Sequence, residues 1–96
     1  IVLQNVQGYK LEIETDTAVV YRLKLQPGES TGEHQLRAQS LIVSISGGQI
    51  EVVDGAKPRA LVAAAPGELE WNAQTRTISI RNVGVAEYSA AVLQWK

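Results

Sequence analysis

Residues 28–47, GESTGEHQLRAQSLIVSISG, decide how this chain is read. The stretch opens on Gly28, closes on Gly47, and holds the only histidine of the chain, His34. Its second half, residues 41–45 (LIVSI), is dominated by branched aliphatics, which suit a pleated strand. The pair Gly47-Gly48 then ends that strand, with no helical pattern behind it that would make a phosphate cradle.

Outward from this stretch the chain reads as strand after strand. Residues 9–14 (YKLEIE) put Tyr9, Leu11 and Ile13 on one face. Residues 18–25 (AVVYRLKL) do the same with Val19, Tyr21, Leu23 and Leu25. A period of two predicts half-buried strands rather than helices. Gln26-Pro27-Gly28-Glu29 is a turn. Downstream, residues 49–53, 59–64, 69–71, 75–81 and 87–95 read as strands. Asp54-Gly55 signals a two-residue hairpin and Pro66-Gly67 a further turn. Turns recur about every ten residues and no helical period is sustained, so the expected fold is an all-β sandwich or barrel. All 96 residues form one domain, with residues 1–8 a flexible or edge-pairing lead-in.

Composition excludes several functions. Nine basic and ten acidic residues give a net charge of −1 without charged blocks, and the five aromatics are dispersed, so no nucleic-acid partner is expected. The absence of cysteine removes disulfides, thiolate zinc sites and thiol nucleophiles. The longest apolar run, residues 60–66, is too short to span a bilayer, and no targeting segment is visible, so a soluble chain is expected. The chain begins at Ile1 without any methionine, as expected of a mature chain or a domain cut from something longer. Ser30, Ser40 and Ser44 lie near His34 in sequence, but no nucleophile elbow surrounds them.

The spacing around His34 resembles the first motif of the cupin superfamily: a glycine, five residues, His-x-His, three or four residues, Glu, six residues, Gly. Gly28, His34 and Gly47 fall on that register, with Leu36 at the second histidine position and Ser40 at the glutamate position. Gly67 and Asn82 match the ends of the second motif. Ala73 and Thr75 stand where it has proline and glycine, and Ile78 where it has the third histidine. The resemblance covers nearly the whole chain and implies a double-stranded β-helix, or jelly-roll barrel, with little or no helix. In that family three histidines and a glutamate hold a transition metal.

Here Leu36, Ser40 and Ile78 replace three of those four ligands, and one histidine cannot fix a divalent ion against water. No cofactor is therefore expected. The weak metal candidates are His34 and Glu70, and alternation along residues 69–71 turns Glu70 outward beside an inward Leu69 and Trp71. Ile78 and Ile80 face inward together by period two, and Leu36 joins them in an apolar chamber with His34 at its edge. Arg76 and Arg81 read as the solvated face of that strand. If Ser40 faces inward, so do Ile42 and Ser44, leaving Leu41, Val43 and Ile45 outside; a bulge near residues 38–40 would reverse this.

The ligand-pocket candidates are Tyr21, His34, Leu36, Ser40, Trp71, Ile78 and Ile80. The expected role is non-catalytic: a metal-free module that binds a small molecule in the barrel or serves assembly, with homodimerisation through a sheet face or edge. The alternative is a cupin enzyme, metal-dependent or a metal-free isomerase, that uses His34 as its base.

Overall fold

Alternation along β2 (Ala18–Leu25) buries Val19, Tyr21, Leu23 and Leu25 and leaves the intervening side chains outside. The same rule operates in β8 (Arg76–Asn82), which buries Ile78, Ile80 and Asn82, and in β9 (Tyr88–Trp95), which buries Tyr88, Ala90 and Val92. These faces meet in a computed structural model that describes residues 3–55 and 59–96. The other strands are β1 (Tyr9–Glu14), β3 (His34–Leu36), β4 (Ser40–Ser44), β5 (Gly48–Asp54), β6 (Ala60–Ala64) and β7 (Leu69–Asn72).

Two antiparallel sheets pack face to face. One has the order β1-β2-β9-β4-β7 and the other β3-β8-β5-β6. The chain passes from one sheet to the other after β2, β3, β4, β6, β7 and β8, the double-stranded β-helix that the cupin resemblance implies. Among the described residues no helix is long and apolar enough to cross a membrane.

Predicted strands match the observed ones to within a residue or so, with two corrections. The three-residue β3 carries too little alternation to be read, although it holds His34 and pairs it with Ile78. Asp54-Gly55 is not a two-residue hairpin. Strand β5 runs through Asp54, which pairs with Ile78, and β6 begins only at Ala60; residues 56–58 of the connection lie outside the described residues. Within the lead-in, the Gly8 carbonyl accepts the Lys24 N–H of β2 at 2.9 Å. Leu3–Asn5 form one 3-10 turn, and Leu3 is buried with Val6 packed against the same core, because apolar side chains at that end are better covered than wet.

The landmark residues of the two motifs have structural work independent of any metal. Gly28 and Gly67 occupy turns at φ 86° and 82°, where a Cβ is strained. Asn82 is fully buried. Its Nδ2 donates to the carbonyls of Leu25 and Ala86, and its Oδ1 accepts the Gly84 N–H, so one side chain ties the end of β2 to the loop before β9.

Strand β4 takes the first of its two possible registers. Ser40, Ile42 and Ser44 face inward, Leu41 and Val43 outward, and Gln39 at φ 61° makes the left-handed turn before the strand without a bulge. The inward serines spend their hydroxyls inside: Ser40 Oγ donates to the Arg37 carbonyl at 2.7 Å, and Ser44 Oγ lies 3.0 Å from the Tyr88 hydroxyl.

Candidate functional site: an apolar chamber

The inward faces of the two sheets do not meet everywhere. Between them remains a chamber of about 300 Å3. Leu36, Ile78 and Ile80 form one wall, Leu23, Ile42 and Val92 the opposite one, and Ile50 and Val52 continue towards Ala60, Val62 and Ala64 of β6. The sheet pairing explains why these side chains converge: Ile80 stands opposite Val52, Val62 opposite Ile50, and Ile42 opposite Val92.

His34 stands behind this wall. Its ring is 4 % exposed and meets the Tyr9 ring edge-on at 5.2 Å between centroids. Nδ1 lies 3.0 Å from the Gly32 carbonyl, which can only accept, so Nδ1 carries the proton. The lone pair of Nε2 then accepts the Tyr9 hydroxyl at 3.1 Å. Burial lowers the imidazole pKa, opposed by the Nδ1–H bond to Gly32, so the ring is held neutral. Burial also drives the Tyr9 hydroxyl well above the ordinary tyrosine range, with Tyr88 adding to the effect. Tyr9, not His34, presents its surface to the chamber.

These residues do not fit a divalent ion. Leu36 and Ile78 have no donor atoms, Ser40 is bonded to backbone, and the Nε2 lone pair that a metal would need is spent on Tyr9. Among the described residues no three His, Cys, Asp or Glu side chains gather to hold an ion.

Polar groups sit at two places in the chamber wall. Ser44 and Tyr88 form a buried hydroxyl pair between β4 and β9. At the rim, Arg76 bridges the sheets: Nη1 reaches Asp54 of β5 at 3.2 Å and Nη2 reaches Glu70 of β7 at 3.1 Å. Glu68 lies beside them and accepts the Ala65 N–H at 3.0 Å. The carboxylates are felt inside. The Tyr88 hydroxyl is raised above its usual value by burial first, against the Ser44 bond, and then by the charges of Glu70 and Glu68.

Of the candidate residues, Leu36, Ile78 and Ile80 line the chamber, and His34 stands one ring behind. Tyr21 is buried in the core but does not reach the chamber, and Ser40 is enclosed beneath β4. Trp71 is on the other side of the sheet, 55 % exposed, with its ring 6.0 Å from that of Trp95. The parity assigned to β7 was inverted. Glu70 and Asn72 pair with the inward Ile42 and Ser40, so Leu69 and Trp71 point out and Glu70 points to the rim.

Arg76 also required correction. It shares parity with Ile78 and Ile80 and therefore belongs to the inner face, whereas Arg81 is outside. That parity is the signal in the sequence that finds Arg76. The inward Ser44 follows from the register of β4, but nothing local in the sequence announces Asp54 or pairs Ser44 with Tyr88; these become a rim and a hydroxyl pair only when the sheets close.

The fold and this chamber define a class: the chain has the cupin fold. The sequence matches no protein-family model and no curated protein. Solved structures nonetheless superpose along nearly its whole length. A cupin domain from Bordetella pertussis aligns over 92 % of this chain and 91 % of its own, with a TM-score of 0.79 at 16 % identity. An RmlC-like cupin with a double-stranded β-helix fold from Methanocaldococcus jannaschii aligns over 96 % and 84 %, at 0.73 and 13 %. A cupin 2 conserved barrel protein from Salinispora arenicola aligns over 100 % and 85 %, at 0.69 and 14 %. At these identities what is shared is the fold.

Proposed function

We propose that this chain is a non-catalytic, metal-free cupin-fold domain that holds a small, largely aliphatic molecule in its chamber. The observation that carries the reading is the lining. Leu36 and Ile78 stand at two positions where the cupin motif has histidines, and they wall an open space of about 300 Å3, while the one remaining histidine is closed off by Tyr9. Apolar cavities about half that size hold a benzene-sized guest, and about 300 Å3 is the lower end of ordinary ligand pockets. The Ser44–Tyr88 pair supports one polar contact. Its two hydroxyls own two hydrogens and spend one on each other, so one donor is left for an oxygen of the ligand. Catalysis would need an acid and a base facing one another across the chamber, and the enclosure of His34 speaks against it.

The test is calorimetric titration with Mn, Fe, Ni, Zn and Cu, followed by titration with 1-hexanol. Saturable hexanol binding that Val62→Trp abolishes, with no stoichiometric metal heat, is the expected result. One tightly held ion per chain, lost in His34→Ala, would overturn the reading and bring an enzyme forward.

A second reading, assembly, draws on the outer face of the five-stranded sheet. Val20, Leu93, Leu41 and Trp71 form a row across β2, β9, β4 and β7, flanked by Ala91, Val43 and Leu69. Five strands at about 4.8 Å spacing and about 25 Å length give roughly 500 Å2 in projection. That is at the upper part of the ~300–600 Å2 spanned by the largest patch on a typical monomer, and smaller than the ~800 Å2 each partner contributes to a standard interface. An apolar row that continues across four strands suits a second copy of the same chain about a two-fold axis. Light scattering should then give a dimer, and Trp71→Glu a monomer; a wild-type monomer at 100-fold dilution and at high concentration alike would exclude this reading.

A further inference from the structure

Four strands form the edges of the two sheets: β1 and β7 of one, β3 and β6 of the other. An open edge is a template for another strand, and proteins protect edges with charge, a bulge or shortness. Strand β1 carries Lys10, Glu12 and Glu14 and shifts register between Leu11 and Ile13. Strand β3 has three residues, and β7 has four with Glu70 among them. Strand β6 has none of these protections. Its five residues, ALVAA, hold no charge and no proline, its register with β5 is unbroken, and its Leu61 is 76 % exposed.

The ladder shows which groups of this edge are free. The Gln49 carbonyl accepts the Val83 N–H and the Gly55 N–H donates to Thr77, so odd-numbered residues along β5 turn their peptide groups towards β8. The even-numbered Gly48, Ile50 and Val52 turn theirs towards β6, where Ala64, Val62 and Ala60 stand opposite. Leu61 and Ala63 therefore point their N–H and C=O groups away from β5. Among the described residues no hydrogen bond reaches them.

We propose that β6 pairs antiparallel with β6 of a second copy of this chain, about a two-fold axis at Val62, joining two four-stranded sheets into one. The register is self-complementary. An axis at Val62 sets Leu61 of each copy opposite Ala63 of the other, so the free N–H and C=O groups on both edges meet complements. It covers the exposed Leu61 with an alanine and brings no like charges together. Each copy contributes only about 17 Å of strand, a small contact that forms at high concentration. The pairing is independent of what the chamber holds and of the outer face of the five-stranded sheet.

Both tests use the Trp71→Glu protein, so that the outer face contributes nothing. The chain has no cysteine, so a single one reports the register. Under mild oxidation Val62→Cys should cross-link to itself, Leu61→Cys more slowly, and Ala60→Cys not at all. Amide exchange by NMR over a hundredfold range of concentration should slow at Leu61 and Ala63 by at least about threefold, while the Val62 amide, already bonded to β5, changes little. Ala63→Pro removes one outward donor without touching the bonds to β5, and Leu61→Lys places charge on the edge without altering the backbone. Either variant, with its methyl spectrum otherwise native, should abolish the concentration dependence. Exchange at Leu61 and Ala63 that is fast at every concentration would overturn the pairing. Slow exchange at every concentration would overturn it too, since the chain would then cover its own edge. Leu61→Cys outrunning Val62→Cys would overturn the axis at Val62.

Discussion

The sandwich has two seams, and they are finished differently. Where β1 meets β3, Tyr9 and His34 join the sheets with a hydrogen bond and an edge-on ring contact, Leu36 of β3 is wholly buried, and the segment between β2 and β3 is stitched to β8 through Thr31, Asn82 and Gly28. Where β6 faces β7, the side chains are Ala60, Val62 and Ala64 against Glu68 and Glu70. Beyond the turn at residues 65–68, no hydrogen bond joins the two strands among the described residues. One seam is packed with ring and branched side chains, the other is lined by small or charged ones. The difference teaches that the single histidine belongs to the closed side of the barrel and the opening of the chamber to the other.

Substitutions should expose this asymmetry. The largest effect is expected for Leu36→Ala, which removes a wholly buried side chain at the closed seam and should cost about 2–5 kcal/mol in urea unfolding. Val62→Ala at the open seam, already 37 % exposed, should cost less than about 1 kcal/mol. Equal losses would erase the distinction between the seams. Next comes Tyr9→Phe, which keeps the ring but strands the buried Nε2 of His34 without a donor; a loss of about 1–3 kcal/mol is expected. A fourth variant addresses packing at the open side. Ala64→Leu extends into the chamber and should change stability by less than about 1 kcal/mol, whereas overpacking a filled core costs about 1–3 kcal/mol.

The smallest effect is a pH slope. Burial lowers the pKa of His34, so the folded protein binds its proton less readily than the unfolded chain does. Stability from this group is complete above the unfolded value of about 6.5 and is lost as pH falls from there towards the folded pKa, by at most about 1.4 kcal/mol per pH unit. Unfolding curves between pH 7.5 and 5 should show a slope that flattens in His34→Gln. A slope unchanged by the substitution would mean that the ring at the closed seam is not held neutral.

Much of the fold was legible because period two is written into β2, β8 and β9, and because Gly28, Gly67 and Asn82 sit where turns and a buried amide tie demand them. The inward set Leu36, Ile78 and Ile80 followed from the same parity. The rim was not legible. Glu70 was assigned to the wrong face because Leu69 and Trp71 flank it, and two apolar neighbours outweighed it in a four-residue strand. Those neighbours in fact lie on the outer face of the sheet, where they adjoin Leu41, Val43 and Leu93, so their hydrophobicity marked that face rather than the core. Arg76 was missed for the reverse reason: a charged residue was taken as solvated although its parity put it beside Ile78. Contacts such as Tyr9 with His34, 25 residues apart, depend on how the sheets close and have no local signal.

The most direct test is a titration of methyl-labelled protein with 1-hexanol, followed by NMR. An open apolar chamber predicts saturable shifts of the Leu36, Ile78, Ile80 and Val62 methyls, none at the outward Leu41 and Leu93, and loss of the effect in Val62→Trp. Shifts confined to the outward methyls, or none at all, would contradict it and leave a barrel that is closed on both seams.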